Sequence, residues 1–323
     1  MSDFNHPLLR TLRSPIATRA IERLSNAIIK ALQQEFRGIV VYGLARFGKS
    51  WAIKYLIAVL TWLDGDAYVT SLIIPKSHAR SDGAFFSLWL SRFKLKLPER
   101  TSALARMERV RNFLIARCEE AGSSLIIVFI DEAQRLFPDD YEHLATLDNE
   151  LTDLGYMLFV VLVYQMDYNA ATNEKIYDGG APAHVHQRFL VRRHEFTGLN
   201  GPSECAHAMS RYDQHAFWPV DSGISYTRHF ATAAFDSGWR LEHHAERLHE
   251  IASELRIAHR LPSRAWTWPM KSFEVCINIL LTIIAPSRSD FSGFTDDDLR
   301  MALNECAFID LELSRTTIAS EEV

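Results

Sequence analysis

Gly43-Leu44-Ala45-Arg46-Phe47-Gly48-Lys49-Ser50 follows an apolar run, Ile39–Tyr42, and opens a helical stretch, Lys49–Leu63. The octet fits GxxxxGK[ST] in the strand–loop–helix setting that the pattern requires. Its spacing has a chemical reason. The glycines let backbone N–H groups curl around a β-phosphate, helped by the positive end of the following helix. Lys49 is suited to neutralise the β/γ-phosphates and the Ser50 hydroxyl to ligate Mg²⁺. The expected ligands are ATP and Mg²⁺, with Gly43–Ser50 as the binding loop.

Some eighty residues later, Leu125-Ile126-Ile127-Val128-Phe129-Ile130-Asp131-Glu132 is a buried strand that ends in two carboxylates. Asp131 can hold the metal through water, and Glu132 can orient and polarise the attacking water. A third polar group is due from a strand between these two. Met157–Tyr164 ends in Gln165, whose amide could position the water or could be an ordinary strand-end side chain. Arg188, in His186-Gln187-Arg188-Phe189, could reach the γ-phosphate of a neighbouring subunit. Arg192 and Arg193 are its rivals, and a plain surface arginine is the other reading.

Short apolar runs at Ile39–Tyr42, Tyr68–Ile74, Leu125–Ile130, Met157–Tyr164 and, more weakly, Arg192–Leu199 alternate with helical stretches. The stretches are Lys49–Leu63, Gly83–Leu95, Ala103–Ala121 and Asp140–Leu154. That alternation predicts an α/β fold, a parallel sheet flanked by helices. A helical extension, residues 1–36, precedes it. After Leu199-Asn200-Gly201-Pro202 only helical periodicity is visible, so the boundary is drawn there and residues 202–323 form an all-helical domain.

Composition narrows the class. With 48% hydrophobic and 23% charged residues among 323, the chain is globular rather than disordered. The balance of 35 basic and 40 acidic residues, −5 overall, excludes a chain-wide cationic field and leaves room for a local basic face. The apolar stretches Tyr55–Leu63, Tyr156–Tyr164 and Val275–Ala285 are each too short to span a bilayer, and MSDFNHPLLR lacks the layout of a signal peptide. Cys118, Cys205, Cys276 and Cys306 are far apart and show no metal spacing, which suits reduced thiols in a cytoplasmic protein.

These elements, in this order, resemble the AAA+ ATPases. The closer resemblance is to the TnsC/TniB group, the ATPase regulators of bacterial transposons. Its carriers are Gly43–Ser50, then Phe129-Ile130-Asp131-Glu132-Ala133-Gln134-Arg135-Leu136, then Val185-His186-Gln187-Arg188-Phe189 leading to Phe196-Thr197-Gly198-Leu199. It covers about Arg37–Gly201. Tyr164-Gln165 departs from the Gly-Gln or Gly-Thr common in that group, and no clear sensor-two arginine stands out, though Arg256, Arg260 and Arg264 are available. The resemblance implies an AAA+ P-loop fold with a helical lid-like C-terminal domain. It also implies a slow, regulatory ATPase in a bacterial cytoplasm that assembles as rings or filaments on double-stranded DNA. Such proteins join a target-selection protein to a transposase. The alternative is a defence or signalling P-loop switch that does not act in transposition.

One feature bears on DNA independently. Ser91–Arg117 carries Arg92, Lys94, Lys96, Arg100, Arg106, Arg109, Arg111 and Arg117 against Glu99 and Glu108. Repeated around an oligomer axis, such a patch could hold phosphates without reading bases, Arg92, Lys94, Lys96 and Arg100 first among them. A solvated helix face is the competing reading. His184-Val185-His186 and Glu242-His243-His244 with His249 lack a complete metal-ligand spacing and suit structural histidines. Trp239, Trp266 and Trp268 suit core packing, and Thr295 with Asp296-Asp297-Asp298 suits a helix start.

Overall fold

Near-continuous runs of Val, Ile, Leu and Phe make strands that are buried on both faces. The computed structural model describes residues 5–10, 15–81, 83–96, 101–166, 181–262 and 266–320. In chain order the first part holds α1 (Arg19–Gln33), β1 (Gly38–Leu44), α2 (Lys49–Ala58), β2 (Tyr68–Ile73), α3 (Ala84–Arg92) and α4 (Ala103–Glu120). Then follow β3 (Leu125–Asp131), α5 (Pro138–Asp153), β4 (Met157–Met166) and β5 (Arg193–Glu195). The strands form one sheet in the order β2-β3-β4-β1-β5, and every pairing is parallel. The most continuously apolar strands, β3 and β4, are central, whereas β2 and the three-residue β5 are edges.

Contacts divide the chain into two compact units. The sheet unit comprises Arg23–Ala45 and Leu56–Phe196, and the helical unit comprises Met1–Glu22, Arg46–Tyr55 and Thr197–Val323. In the sheet unit, Phe85, Trp89, Val110, Leu114, Leu144 and Leu151 of α3, α4 and α5 pack with Val128, Ile130, Val160 and Leu162 of the central strands. Local signals place the helices: the Ser102 hydroxyl caps α4 by accepting from Ala105 N–H, and Asp140 returns to the Phe137 N–H at the start of α5. The helix expected over Lys49–Leu63 ends at Ala58. A 3₁₀ turn, Leu60–Trp62, follows, and the Trp62 indole donates back to the Leu56 carbonyl at 2.8 Å.

The helical unit is not purely helical, which corrects the sequence expectation. β6 (Leu199–Asn200) pairs antiparallel with β7 (Thr267–Trp268). A two-residue ladder is too short to show alternation, and it depends on Gly198, where a Cβ would collide with the Trp268 carbonyl. Gly201 adopts φ +67° and Pro202 occupies the first turn of helix Gly201–Gln214, so this breaker is a helix start. Thr295 and Asp298 make the expected capping box of helix Asp296–Glu305. A further helix, Phe308–Ser320, lies beyond the last one the periodicity shows. It is docked by a buried ion pair between Glu312 and Arg256.

Helix Met270–Ile279 continues through a π turn, Leu280–Ile284, and a 3₁₀ turn, Ala285–Ser287. By length and mean hydropathy, 1.3 over Met270–Ser287, this continuous element could cross a membrane, although the apolar stretch by itself is too short. Half of that window is buried, with Phe273, Cys276, Ile277, Leu280 and Leu281 inside the helical core. Trp268 is fully buried there, while Trp239 and Trp266 pack at its margin.

The Trp239 indole donates to His244 Nε2 at 2.8 Å, inside a cluster with Phe291 and Phe294. That bond needs an unprotonated Nε2. Burial, and then the neighbouring His243, hold the His244 pKa below its ordinary value, partly offset by Asp298. Burial likewise lowers His249, which stacks on Trp266. Both folded values lie below the unfolded one, so their stabilisation is complete above about pH 6.5 and is lost as pH falls below it. Thermal melts followed by tryptophan fluorescence are expected to show a falling midpoint between about pH 7 and 5.5. A flat profile over that range would remove this account.

Candidate nucleotide site

The carboxyl ends of β1, β4 and β3 lie side by side. β4 stands between the strand that enters the phosphate loop and the strand that ends in the carboxylates. Gly43 is in register with Gln165, and Asp131 with Val163 two residues earlier on β4. At strand spacing this sets Asp131 about 10 Å to the side of β1. Gly43, Gln165, Asp131 and Glu132 therefore share one edge of the sheet unit. Gly43 must be glycine because a Cβ would strike the Phe196 carbonyl, whose own N–H donates to the Tyr42 carbonyl at 2.7 Å.

Arg46–Ser50 continue the loop within the contacts of the helical unit. Gly48 takes φ +101°, and a Cβ on it would lie 3.2 Å from Met270 Cβ. Next to it, Lys271 N–H donates to the Arg46 carbonyl at 3.3 Å. The start of helix Met270–Ile279 is thus packed on the phosphate loop. Sequence reasoning missed this because more than two hundred residues separate the partners; the only local trace is Pro269 before a helix start. Arg256, a sensor-two candidate, is instead occupied with Glu312, the Pro262 carbonyl and the Trp266 ring. Arg260 stands at φ +57° just past the helix, and Arg264 lies outside the described residues.

Asp131 is buried at the end of β3, and its Oδ1 accepts from Glu132 N–H at 3.0 Å. Glu132 has a left-handed backbone, φ 60° and ψ 37°. Its Oε2 accepts from Gln134 Nε2 at 2.8 Å and pairs with Arg135 Nη2 at 2.7 Å. Gln134 Oε1 in turn accepts from the main-chain N–H of Gln165 at 3.1 Å. Just below, the hydroxyls of Tyr141 and Tyr164 are hydrogen-bonded in the core, and burial pushes Tyr141 up to about 12.

Arg188 is elsewhere. It donates to the Ala145 carbonyl and to Asn149 Oδ1 at 2.7 Å, and it pairs with Asp148 at 3.3 Å. Burial raises the Asp148 pKa, which Arg37 and then Arg188 oppose. Arg37 precedes β1, and Phe189 packs on Gly38, so Arg188 sits near the amino ends of the strands. A seven-residue strand puts it about 20 Å from the phosphate-loop end. It cannot serve a nucleotide on its own sheet. Of its rivals, Arg192 lies over the Phe36 ring and Arg193 opens β5.

The basic stretch is partly consumed by the fold. Arg92 donates to the Ser71 carbonyl on the edge strand, Arg106 holds the Gly83 carbonyl and Ser87, Arg111 pairs with Glu150, and Arg117 pairs with Glu120. Lys94, Lys96 and Arg109 make no ion pair among the described residues, and Arg100 lies outside them. His184 pairs with Glu142 on the surface. No group of three or more potential metal ligands drawn from His, Cys, Asp and Glu occurs among the described residues. All four cysteines are buried free thiols.

Ser50 and Asp131 supply a hydroxyl and a carboxylate, the hard oxygen donors that suit Mg²⁺. Gly48 takes the left-handed φ of +101° that a glycine-rich turn ahead of a helix start needs. By donor chemistry alone these residues suit a Mg²⁺–nucleotide.

No family model matches the chain, and no curated protein does. Among solved structures, the chain is similar to the Aeropyrum pernix ORC1 protein, determined in complex with DNA. Identity is 13%, covering 94% of this chain and 87% of that one, with a TM-score of 0.41. It is also similar to a Walker-type ATPase of Pyrococcus abyssi, at 15% identity over 98% and 81% of the two chains and a TM-score of 0.48. Domain III of the Thermotoga maritima replication initiation protein DnaA gives 9%, 90% and 93%, and 0.46. The strand order and the phosphate loop carry the fold assignment themselves. A parallel β2-β3-β4-β1-β5 sheet flanked by helices, GxxxxGKS leaving β1 and a mainly helical C-terminal unit constitute an α/β P-loop fold.

Proposed function

We propose that the chain is an ATP-hydrolysing AAA+ regulator of DNA transposition that assembles on double-stranded DNA and links target selection to a transposase. The observation that carries the ATPase part is the sheet edge where β4 lies between the two nucleotide motifs, with Gly43 in register with Gln165, Asp131 in register with Val163, and Glu132 following Asp131. Lys49 neutralises the phosphates, and Ser50 and Asp131 are the residues that would hold Mg²⁺. That ion supplies charge that offsets the phosphoryl oxygens. Glu132 orients and deprotonates the attacking water, and Gln165 is the polar group beside it. Arg188 acts on the nucleotide of a neighbouring copy, leaving Arg37 to hold Asp148. The contact of Met270 and Lys271 with the phosphate loop supports a helical unit that reports whether nucleotide is bound.

The transposition role is supported by the resemblance of three motif blocks, Gly43–Ser50, Phe129–Leu136 and Val185–Phe189, to the TnsC/TniB group. Lys94 and Lys96 are the exposed cations best placed for sequence-neutral phosphate contacts, with Arg92 and Arg100 beside them in sequence. The protein belongs in the cytoplasm in this reading. Electron microscopy of the purified protein with double-stranded DNA and a slowly hydrolysed ATP analogue is expected to show rings or filaments only when both ligands are present. Particles indifferent to DNA would sink the DNA role and leave the triggered defence or signalling switch as the better reading.

A further inference from the structure

We infer that Gln134 and Arg135 are positioning residues that hold Glu132 back, so that bound nucleotide is hydrolysed slowly until this clamp is released. The inference rests on the reading of Glu132 as the residue that primes the attacking water. One carboxylate oxygen, Oε2, takes both donors, the Gln134 amide at 2.8 Å and the Arg135 guanidinium at 2.7 Å. A carboxylate oxygen held by two donors is less free to turn toward a water. Both side chains of the ion pair are only about a quarter exposed, at 26% and 28%, so this is not a loosely solvated surface pair.

The clamp is pinned to both strands that flank β3. Arg135 Nη1 donates to the Ile74 carbonyl, one residue past β2, at 2.7 Å. On the other side, Gln134 Oε1 accepts from Gln165 N–H on β4. A 3₁₀ turn, Ala133–Arg135, carries both residues, and the left-handed backbone of Glu132 sets its start. Beyond Ile74 the chain runs into an exposed loop tied to the start of α5, by His78 to Asp140 at 2.8 Å and by Arg80 to Asp139 at 2.8 Å. Arg80 and Asp139 are both more than half exposed. A partner that displaced this loop would draw the Ile74 carbonyl away and loosen Arg135 from Glu132.

The test uses the full-length protein without partners. Arg135→Ala is expected to raise kcat for ATP about tenfold, the rate equivalent of one charge-assisted hydrogen bond. The affinity for a fluorescent ATP analogue should stay unchanged. Gln134→Ala should give a smaller rise, and Arg135→Lys, which keeps the charge but not the fork, should fall between. In the Glu132→Gln background, Arg135→Ala should add nothing. A kcat that is unchanged or lower in both alanine variants, with analogue binding and melting temperature intact, overturns the clamp alone. So does an equal acceleration in the Glu132→Gln background. Failure of the wild-type protein to bind the analogue overturns the ATPase reading and the clamp with it.

Discussion

Glu132→Gln should lower ATP turnover by about 10²–10⁴-fold, the usual contribution of a positioned general base. Nucleotide affinity should change little. The amide keeps the size of the carboxylate but cannot take the proton of the attacking water, and it loses the charge that Arg135 pairs with. Phosphate release at saturating ATP, set beside equilibrium titration of a fluorescent analogue, separates the two effects. Because nucleotide would then persist in every site, assemblies on DNA should outlast those of the wild type. Normal turnover in this variant would remove Glu132 from the chemistry and shift attention to Gln165, its neighbour across the Gln134 bridge.

Lys49→Ala should weaken ATP binding by about 100-fold or more. An ammonium donating to phosphate makes charge-assisted hydrogen bonds worth about 1.5–3 kcal/mol each, and losing two exceeds the roughly 2.7 kcal/mol that equals a hundredfold. Lys49 opens α2, where alanine is a favourable helix residue, so the melting temperature should hold. Titration calorimetry with ATP and Mg²⁺ measures the loss directly. Lys49→Arg is not expected to rescue it, because a planar fork does not fit a cradle built around a point charge. Wild-type affinity in Lys49→Ala would mean that Gly43–Ser50 is a glycine turn and not a phosphate loop.

The two experiments bear on parts of the site that differ in how legible they are from sequence. The phosphate-loop pattern is written contiguously, with a strand on one side and a helix on the other, so its geometry was legible from spacing. The place of Asp131 and Glu132 was legible because a wholly apolar strand that breaks off in two carboxylates puts them at a sheet edge. The surroundings of Glu132 were not. Gln134 and Arg135 look like ordinary turn residues until the Ile74 carbonyl and the Gln165 N–H are brought beside them. Arg188 was legible as an arginine before an edge strand but not as the partner of the buried Asp148. The basic stretch was legible as charge alone, and the fold spends Arg92, Arg106, Arg111 and Arg117 on its own carbonyls and carboxylates.

By itself the sequence determined what local periodicity and contiguous motifs can encode. These were the alternation of buried strands and helices, the phosphate loop, the carboxylate pair and the capped start at Thr295. Only the tertiary structure decided the register that sets Gly43 beside Gln165, that the start of helix Met270–Ile279 rests on Gly48, and that β6 pairs with β7. It also decided which cations remain available to a ligand. The physical reason is range. Helix and strand patterns arise between residues a few positions apart, where backbone geometry alone sets the period. Strand order, backbone approach at a glycine and the partner of a charge depend on residues tens to hundreds of positions away, brought together by burial of a shared core.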